Sequence, residues 1–329
     1  MILRLATFNL ESLDDAPDAA MPLSARLPVL RAALARLDAD VICLQEVNAQ
    51  KQGSGARSFA ALDRLLAGTS YAAFHRAATT NDAGTGPRDV HNLVVLARGP
   101  ILAIDQVSHA LVPPIEWHWL TSASRVSSPQ EGAPVRFDRP LLQVAIDLGQ
   151  SRPLHLINLH LRAPIASPVP GQKAAADRWR TASGWAEGYF LAAIKRAGQA
   201  LEARLSVDRL FDRDPDAMVA VVGDFNAEGR AVPLSILRAD VEHTGNQALA
   251  ARALVNLDTH LPPAERFTVR HGGRALMLDH VMVSRFLASR CQGVEVYNDT
   301  LADELAAFRA GVADPAGFHA PLVARFQLP

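Results

Sequence analysis

An apolar run ends abruptly in two polar residues at Ala220-Val-Val-Gly-Asp224-Phe-Asn226. A short run of valines bounded by glycine predicts a buried β-strand. Because side chains alternate across a strand, Asp224 and Asn226 can point the same way. A β-turn is the ordinary explanation for this pair, since Asp and Asn both favour turns. The alternative is a polar site at the edge of a hydrophobic core, and three more segments of the same design favour it.

These three segments are also apolar and also end in polar side chains. The first ends at Asn9, the second at Glu46, and the third carries Asn158 and His160. Strand alternation places Asn158 and His160 on one face of the third segment. A lone Glu at a strand end usually faces solvent, and a lone His is more often structural. Repetition of the pattern predicts instead that the four strand ends converge on one site.

Glu46 follows a mostly apolar strand, so we expect its carboxylate to be partly buried. A buried charge needs a partner, and a hard cation is a suitable one. Mg²⁺ takes few protein carboxylates and keeps water and substrate phosphate among its ligands. One Glu with one Asn or Asp is therefore enough for a predicted cation site.

Two further polar residues lie near the C-terminal end of the sequence. Asp279 follows an apolar run, and His319 precedes Ala-Pro and the last apolar run. An Asp that accepts from a His ring N–H fixes the tautomer of the ring and favours its cationic form. Such a cation can stabilise negative charge on a phosphoryl group. The pair therefore predicts phosphate chemistry.

The composition narrows the possible partners. The chain has 329 residues, of which 49% are hydrophobic, and a formal net charge of −1. That balance gives no broad basic face, so nucleic acid is a possible but not a favoured partner. Two cysteines do not make a disulfide framework. No apolar run is long enough for a membrane span and no basic leader precedes the first strand, so we expect a cytoplasmic protein. The oligomeric state has no signature in the sequence.

The order of elements predicts an α/β fold with helices outside two central sheets. The apolar runs predict strands over residues 1–10, 40–46, 71–77, 91–97, 101–109, 140–148, 153–161, 217–223, 266–270, 278–284, 293–297 and 321–327. The helical patterns cover residues 25–38, 58–67, 189–206 and 231–240. Because no linker is evident, residues 1–329 are predicted to form a single domain with insertions near 110–135 and 162–188.

The ordered set of motifs resembles the endonuclease/exonuclease/phosphatase superfamily of metal-dependent phosphoesterases. Six pieces occur in family order and span nearly the whole chain: Thr7-Phe8-Asn9, Leu44-Gln45-Glu46-Val47, Asn158-Leu159-His160-Leu161, Gly223-Asp224-Phe225-Asn226, Leu278-Asp279-His280 and His319-Ala320-Pro321. Each piece alone is weak, and the ordered set is specific. The resemblance implies a four-layered αββα sandwich of two mostly antiparallel or mixed sheets packed face to face. It also implies a divalent-metal-dependent phosphoester hydrolase.

The resemblance also implies roles for the strand-end residues. Glu46 and Asn9 would hold Mg²⁺ or Mn²⁺. Asp224 would orient or deprotonate the attacking water, and Asn226 would bind the scissile phosphate and help to position Asp224. We further expect Asn158 to contact the substrate.

The same resemblance assigns the histidines and exposes one departure. His160 and His319 would stabilise developing charge, and Asp279 would orient His319. The family usually has an Asp directly before this His, whereas this chain has Phe318, which cannot bind a cation through oxygen. Asp314 is a candidate replacement. If nothing replaces the missing acid, the chain could be a degenerate member that binds a phosphorylated partner without cleaving it.

The substrate class stays open between two enzymatic hypotheses. A nuclease would need basic residues around the cleft, and the loop after His160 offers Arg162, which we expect to contact substrate, together with Lys173, Arg178 and Arg180. A small-substrate enzyme would use aromatic walls, for which the candidates are Trp117, Trp119, Trp179 and Trp185. The near-neutral charge slightly favours a small or lipid-derived phosphoester.

Overall fold

The computed structural model describes residues 1–17, 19, 21–53, 55–121 and 132–329. Eighteen strands are found there: β1 (Ile2–Leu13), β2 (Val41–Val47), β3 (Gln50–Gln52), β4 (Ala56–Ser58), β5 (His75–Ala78), β6 (Asn92–Ala97), β7 (Ile101–Val107), β8 (Ile115–Trp117), β9 (Ala133–Val135), β10 (Leu141–Ile146), β11 (Leu154–His160), β12 (Met218–Asp224), β13 (Val255–Asn256), β14 (Val269–His271), β15 (Arg274–Leu276), β16 (Asp279–Val283), β17 (Cys291–Val296) and β18 (Leu322–Gln327). The α-helices of the same residues are α1 (Leu23–Leu37), α2 (Ala60–Leu66), α3 (Ala182–Arg213), α4 (Val232–Arg238), α5 (Val241–Thr244), α6 (Arg285–Ala288) and α7 (Glu304–Ala310).

Two six-stranded mixed sheets dominate the described part of the chain. The first has the order β17-β18-β1-β2-β6-β5 and the second the order β13-β16-β12-β11-β10-β7. Each sheet contains one parallel pair, β1 with β2 and β11 with β12, and antiparallel strands flank both pairs. Parallel pairs end at the same edge of a sheet, so each sheet presents two strand ends together.

The two sheets pack face to face around a shared apolar core. Leu3 and Val95 of the first sheet lie in one buried cluster with Leu156 and Val222 of the second. The outer face of the first sheet is covered by α1 and α2, and that of the second by α3 and α4. This layering confirms the predicted α/β sandwich with helices outside two central sheets.

The long helix α3 shows where the predicted boundaries were wrong. It runs over Ala182–Arg213 rather than 189–206, because Thr181 caps its start by accepting a hydrogen bond from the Gly184 N–H at 2.9 Å. Polar residues and glycines in its first turns conceal the helical period. Gly188 is required there, since a Cβ would lie 2.3 Å from the carbonyl oxygen of Ser167 in the loop after β11.

The first predicted insertion lies against the start of α3. Its described part includes the ribbon of β8 and β9, while residues 122–131 lie outside the described residues. Buried Glu187 accepts hydrogen bonds from the Trp117 indole at 2.9 Å and from the Leu120 N–H at 2.7 Å.

Among the described residues, no helix has both the length and the apolar character needed to cross a bilayer.

Candidate active site

The predicted strand ends meet at one edge of the sandwich. Asn9 pairs in register with Gln45, the residue before Glu46, at the ends of β1 and β2. In the second sheet, His160 pairs with Asp224 across β11 and β12, and Asp224 pairs with Asp279 across β12 and β16. Because the sheets face each other, these side chains from both sheets share one cleft.

Backbone irregularities turn two of the side chains into that cleft. Glu46 has a φ of 57° and Asn226 a φ of 48°, both in the left-handed region that non-glycine residues rarely adopt. Each such residue costs on the order of 1 kcal/mol or more unless the surrounding structure holds it there. The Ser12 N–H does so for Glu46, because it donates to Oε2 at 2.9 Å.

Glu46 and Asp224 share two neighbours. The Asn9 amide nitrogen lies 3.1 Å from Asp224 Oδ2 and 3.4 Å from Glu46 Oε1. The His160 Nε2 atom lies 3.4 Å from the same Asp224 oxygen and 3.8 Å from the same Glu46 oxygen. The Asn9 oxygen points elsewhere and accepts from the Glu11 N–H at 2.9 Å. In this orientation Asn9 donates to carboxylates, so its role as an oxygen ligand stays a prediction.

Asp224 is a buried carboxyl group that the cleft holds close to neutrality. Burial, and after it the charge of Asp279, raise the pKa of Asp224 to about 7. Its Oδ1 atom accepts from the Asn226 N–H at 2.8 Å, and the Asn226 amide also donates to the Leu161 carbonyl at 3.0 Å. Asn226 therefore holds Asp224 in place through the turn that follows β12.

His319 and Asp279 form the ion pair that the sequence suggested. Nδ1 of His319 lies 2.9 Å from Asp279 Oδ2, and Nε2 lies 4.0 Å from Asp224 Oδ2. Burial disfavours the charged ring, but the charge and hydrogen bond of Asp279 outweigh it and, with Asp224 and Glu46, raise the pKa of His319 to about 10. His319 is therefore a cation at neutral pH.

His160 has the opposite protonation state. Burial, and then the nearby Arg139 cation, lower its pKa well below the ordinary value, so the ring is neutral. Burial opposes ionisation of Glu46, but His91, whose Nδ1 lies 3.6 Å from Oε2, and the His319 cation lower the pKa of this carboxyl group. Glu46 is therefore an anion. The cleft thus contains an anionic Glu46, a cationic His319 and a neutral His160.

His91 and Arg139 also reach the cleft, although neither of them follows a strand. A residue that follows a strand is marked in the sequence by the end of an apolar run. The antiparallel neighbour of that strand begins at the same edge of the sheet, so the residue just before it lies there too. His91 directly precedes β6, and Arg139 lies two residues before β10. Polar residues just before an antiparallel strand were therefore equal candidates, as the positions of Asp279 and His319 already indicated.

Glu11, rather than Asp314, supplies a carboxylate beside Phe318. An oxygen of Glu11 accepts a hydrogen bond from the backbone N–H of Phe318. Burial raises the pKa of Glu11. Asp314 is nearby but accepts from the Ala316 N–H at 2.8 Å within its own turn. Position 318 carries no acid, but Glu11, two residues after Asn9 on β1, places a carboxyl group beside it.

Asn158 lies beneath the cleft rather than in its wall, and its predicted substrate contact stays a prediction. Its side chain is fully buried, and its amide accepts from Gln45 at 2.8 Å and donates to the carbonyls of Leu44 at 3.1 Å and Val94 at 3.0 Å. Asn158 therefore fastens the two sheets together beneath the cleft. Alternation placed it on the inward face correctly, but that face meets the other sheet at this depth.

Three cavities surround the cleft, and each has its own chemistry. A pocket of about 500 Å³, called the basic pocket for its arginines Arg88, Arg139 and Arg162, also has Asp82, Asp89 and Asp138 in its wall. Arg162 Nη1 lies 3.3 Å from Asp138. An acidic pocket of about 410 Å³ is lined by residues that include Glu11, Asp14 and Asp314. An apolar groove of about 590 Å³ lies between α3 and the start of α4 and has Asn226 in its wall.

The donor set of the cleft fits a hard divalent cation. Asp224 and Asp279 bring carboxylate oxygens together, Glu46 reaches the same cleft through Asn9 and His160, and such cations prefer oxygen ligands. Asp224, Asp279 and His319 offer donor atoms that lie within 4.8 Å of one another. Oδ1 of Asp279 is buried and has no hydrogen-bond partner among the described residues. A cation would relieve the repulsion between these buried carboxylates.

Comparisons with solved structures agree with this fold. The Neisseria 3′ phosphatase NExo, solved with a product DNA hairpin, is 16% identical, with 99% of this chain and 100% of that chain covered and a TM-score of 0.56. TDP2 from C. elegans is 13% identical, with 99% and 75% covered and a TM-score of 0.57. An AP endonuclease from Archaeoglobus fulgidus is 14% identical, with 99% and 100% covered and a TM-score of 0.54. At these identities the likeness shows the fold alone.

Sequence comparison supplies the family. No curated protein sequence matches the chain. The model of the Endonuclease/Exonuclease/phosphatase family matches residues 6–300, which is most of the sequence. The chain therefore belongs to the endonuclease/exonuclease/phosphatase family, whose members are metal-dependent phosphoesterases.

Proposed function

We propose that this chain hydrolyses a small or lipid-derived phosphoester by in-line attack of water on phosphorus. One observation carries the proposal: the buried Asp224 carboxyl group lies with Oδ2 4.0 Å from Nε2 of His319, in a cleft that both sheets line. Burial and Asp279 raise the pKa of Asp224 to about 7, and despite burial Asp279 raises the pKa of His319 to about 10. Near neutral pH the first can accept a proton while the second stays cationic. General-base catalysis is most effective when the pKa of the base lies near the working pH.

In this proposal Asp224, oriented by Asn226, takes a proton from the attacking water as the water oxygen bonds to phosphorus. The opposite P–O ester bond breaks, and the ester substituent leaves as an anion that solvent protonates. The His319 cation and Arg139 face the negative charge that develops on the phosphoryl group. Neutral His160 donates from Nε2. Glu46, with Asn9 as the predicted second ligand, would hold Mg²⁺ or Mn²⁺. A bound divalent cation supplies Lewis-acid neutralisation of phosphoryl oxygens.

Charge around the cleft supports a small substrate. A nucleic acid carries phosphates on both sides of the bond to be cleaved and is bound through many cationic contacts. Here the arginines of the basic pocket stand among Asp82, Asp89 and Asp138 rather than along a continuous basic track. The acidic pocket with Glu11, Asp14 and Asp314 would repel a second backbone phosphate. A nuclease is the second candidate, because the similar NExo structure contains a DNA hairpin.

The test is a metal-dependence assay on three substrates. Metal-stripped protein is supplied with Mg²⁺, Mn²⁺ or Ca²⁺ and incubated with bis-p-nitrophenyl phosphate, p-nitrophenyl phosphate or plasmid DNA. We expect cleavage of at least one of the two small esters, and a loss of about 10²-fold or more in Asp224→Ala. Preferential cleavage of DNA would favour the nuclease. No cleavage with any cation would favour a binder of a phosphorylated partner, and equal activity of Asp224→Ala and wild type would contradict the mechanism.

A further inference from the structure

We propose that the apolar groove binds an alkyl or acyl chain of the phosphoester substrate, next to the reacting phosphate. The inference rests on the proposed function and names its substrate class. The walls of the groove are formed by α3 and by the start of α4, and their apolar residues are Ala193, Ile194, Ala197, Ala231, Val232 and Pro233. Its volume of about 590 Å³ lies within the usual range of ligand sites.

The groove is continuous with the catalytic cleft. Asn226 belongs to its wall, and the Asn226 N–H donates to Asp224 at 2.8 Å. A phosphate held by Asn226 would therefore have one ester substituent directed along the groove. Arg196 also borders the groove, where its Nη1 donates to the Arg162 carbonyl at 2.9 Å. A cation is thus positioned between the groove and the basic pocket, on the side where a phosphate would lie.

The face of α3 that borders the groove stays apolar well beyond it. Trp185, Tyr189, Ala193 and Ala197 follow one another at four-residue spacing, which places them along one stripe of the helix. The Trp185 and Tyr189 rings stack at 5.3 Å. From Trp185 to Ala197 the stripe is roughly 18 Å long, at about 1.5 Å per residue. That length suits an extended chain rather than a single compact group.

Exposure along this stripe is unusual for a surface without a ligand. Trp185 is 46% exposed and Tyr189 40%, and Val232 on the opposite wall is 64% exposed. Single exposed apolar residues are ordinary, but contiguous apolar surface beside a polar cleft marks a binding site. An apolar substrate chain would cover this surface during binding.

Aliphatic lining distinguishes an alkyl chain from a nucleic-acid base. Single-stranded nucleic acid is bound by aromatic stacking along a basic track. Within the groove the apolar wall residues are Ala, Ile, Val and Pro, and the aromatic pair lies at the far end of the stripe. The acidic pocket on the other flank also disfavours a polyanion. The observations therefore favour the alkyl chain.

The experiment compares p-nitrophenyl phosphodiesters whose second substituent is methyl, butyl, hexyl or octyl, all below their micellar concentrations. We expect kcat/KM to rise by up to about fourfold for each methylene that enters the groove. In Val232→Asp the ratio of octyl to methyl kcat/KM should fall at least tenfold. Leu102→Asp is the matched control, because Leu102 is 60% exposed on β7, outside the groove. It should keep the wild-type ratio.

The outcomes separate this inference from the proposed function. Hydrolysis of every ester without chain-length dependence would overturn the groove assignment and leave the phosphoesterase intact. If no ester is cleaved, calorimetry with octyl phosphate and methyl phosphate replaces the assay, and tighter binding of octyl phosphate that Val232→Asp removes would support the groove. Equal affinities would overturn it. If Val232→Asp weakens single-stranded DNA binding but not alkyl binding, the occupant is nucleic acid and the proposal is wrong.

Discussion

Asp279→Asn should move the whole pH–activity profile to lower pH. Asp279 lies 2.9 Å from the His319 ring, and its charge is the main reason why the pKa of His319 rises to about 10 despite burial. The same charge helps to raise the pKa of Asp224 to about 7. Replacing the carboxylate with an amide keeps the shape and removes the charge, so both pKa values should fall. The expected sign of this coupling is that both the acid limb and the alkaline limb of the pH–activity profile move to lower pH.

The magnitude follows from the His319 value. A pKa of about 10 against the ordinary 6.5 corresponds to roughly 5 kcal/mol of preference for the protonated ring. Without Asp279, burial would oppose the charge, so the alkaline limb should fall by at least about two pH units. The acid limb should move less, since burial is the larger cause of the raised pKa of Asp224.

Two measurements test this reasoning. The pH dependence of kcat/KM on bis-p-nitrophenyl phosphate reports both limbs of the free enzyme. Proton NMR of the His319 ring in metal-free protein reports its pKa without catalysis, and thermal unfolding checks that the variant is folded. An unchanged alkaline limb together with an unchanged NMR titration would refute the proposed coupling. Limbs that moved in opposite directions would refute it as well.

Three further predictions concern residues around the cleft. Arg139→Ala should lower kcat/KM by about tenfold to a hundredfold on any phosphoester, which steady-state kinetics checks, because it removes a cation that lines the basic pocket. Glu11→Ala should reduce the free energy of unfolding by about 1–3 kcal/mol in urea titrations, since it leaves the Phe318 N–H without its acceptor. His280 is buried between Asp258 Oδ2 at 2.5 Å and the Ala227 carbonyl at 2.8 Å, and although burial opposes it, Asp258 raises the His280 pKa. The stabilisation from this pair is complete below pH 6.5 and is lost as pH rises through the folded pKa, so the stability gap between wild type and His280→Gln should narrow from pH 6 to pH 9.

Much of the fold could be predicted because buried strands and helix faces require apolar residues at characteristic spacings. The run that contains Val221 is apolar without alternation, as expected of a strand covered on both faces. Helix α1 is marked by Leu30, Leu34 and Leu37, all buried, at helical spacing. The start of α3 was not predictable in this way, since its first turns expose apolar residues such as Trp185 instead of burying them.

The site was only half predictable, for a reason of topology. Residues after a strand, such as Glu46 and Asp224, are found by reading forward to the end of an apolar run. His91 and Arg139 lie outside such runs. They reach the same edge only because β6 pairs antiparallel with β2 and β10 pairs antiparallel with β11. The burial of Asn158 could not be predicted for a different reason. Strand alternation tells which face a side chain is on, but not that a second sheet covers that face.

Loss of a motif residue does not by itself mean loss of the site. Phe318 removes an acid from the loop before β18, yet Glu11 brings a carboxylate to the backbone of that same residue from the adjacent strand β1. Glu11 and Ser12 have left-handed φ values of 44° and 51°, so the chain bends there and directs these residues toward Glu46 and Phe318. What the chemistry requires is negative charge at a place on the sheet edge, and neighbouring strands can supply it interchangeably. The departure at position 318 is therefore weak support for a non-catalytic chain, and Glu11 is the residue on which that question depends.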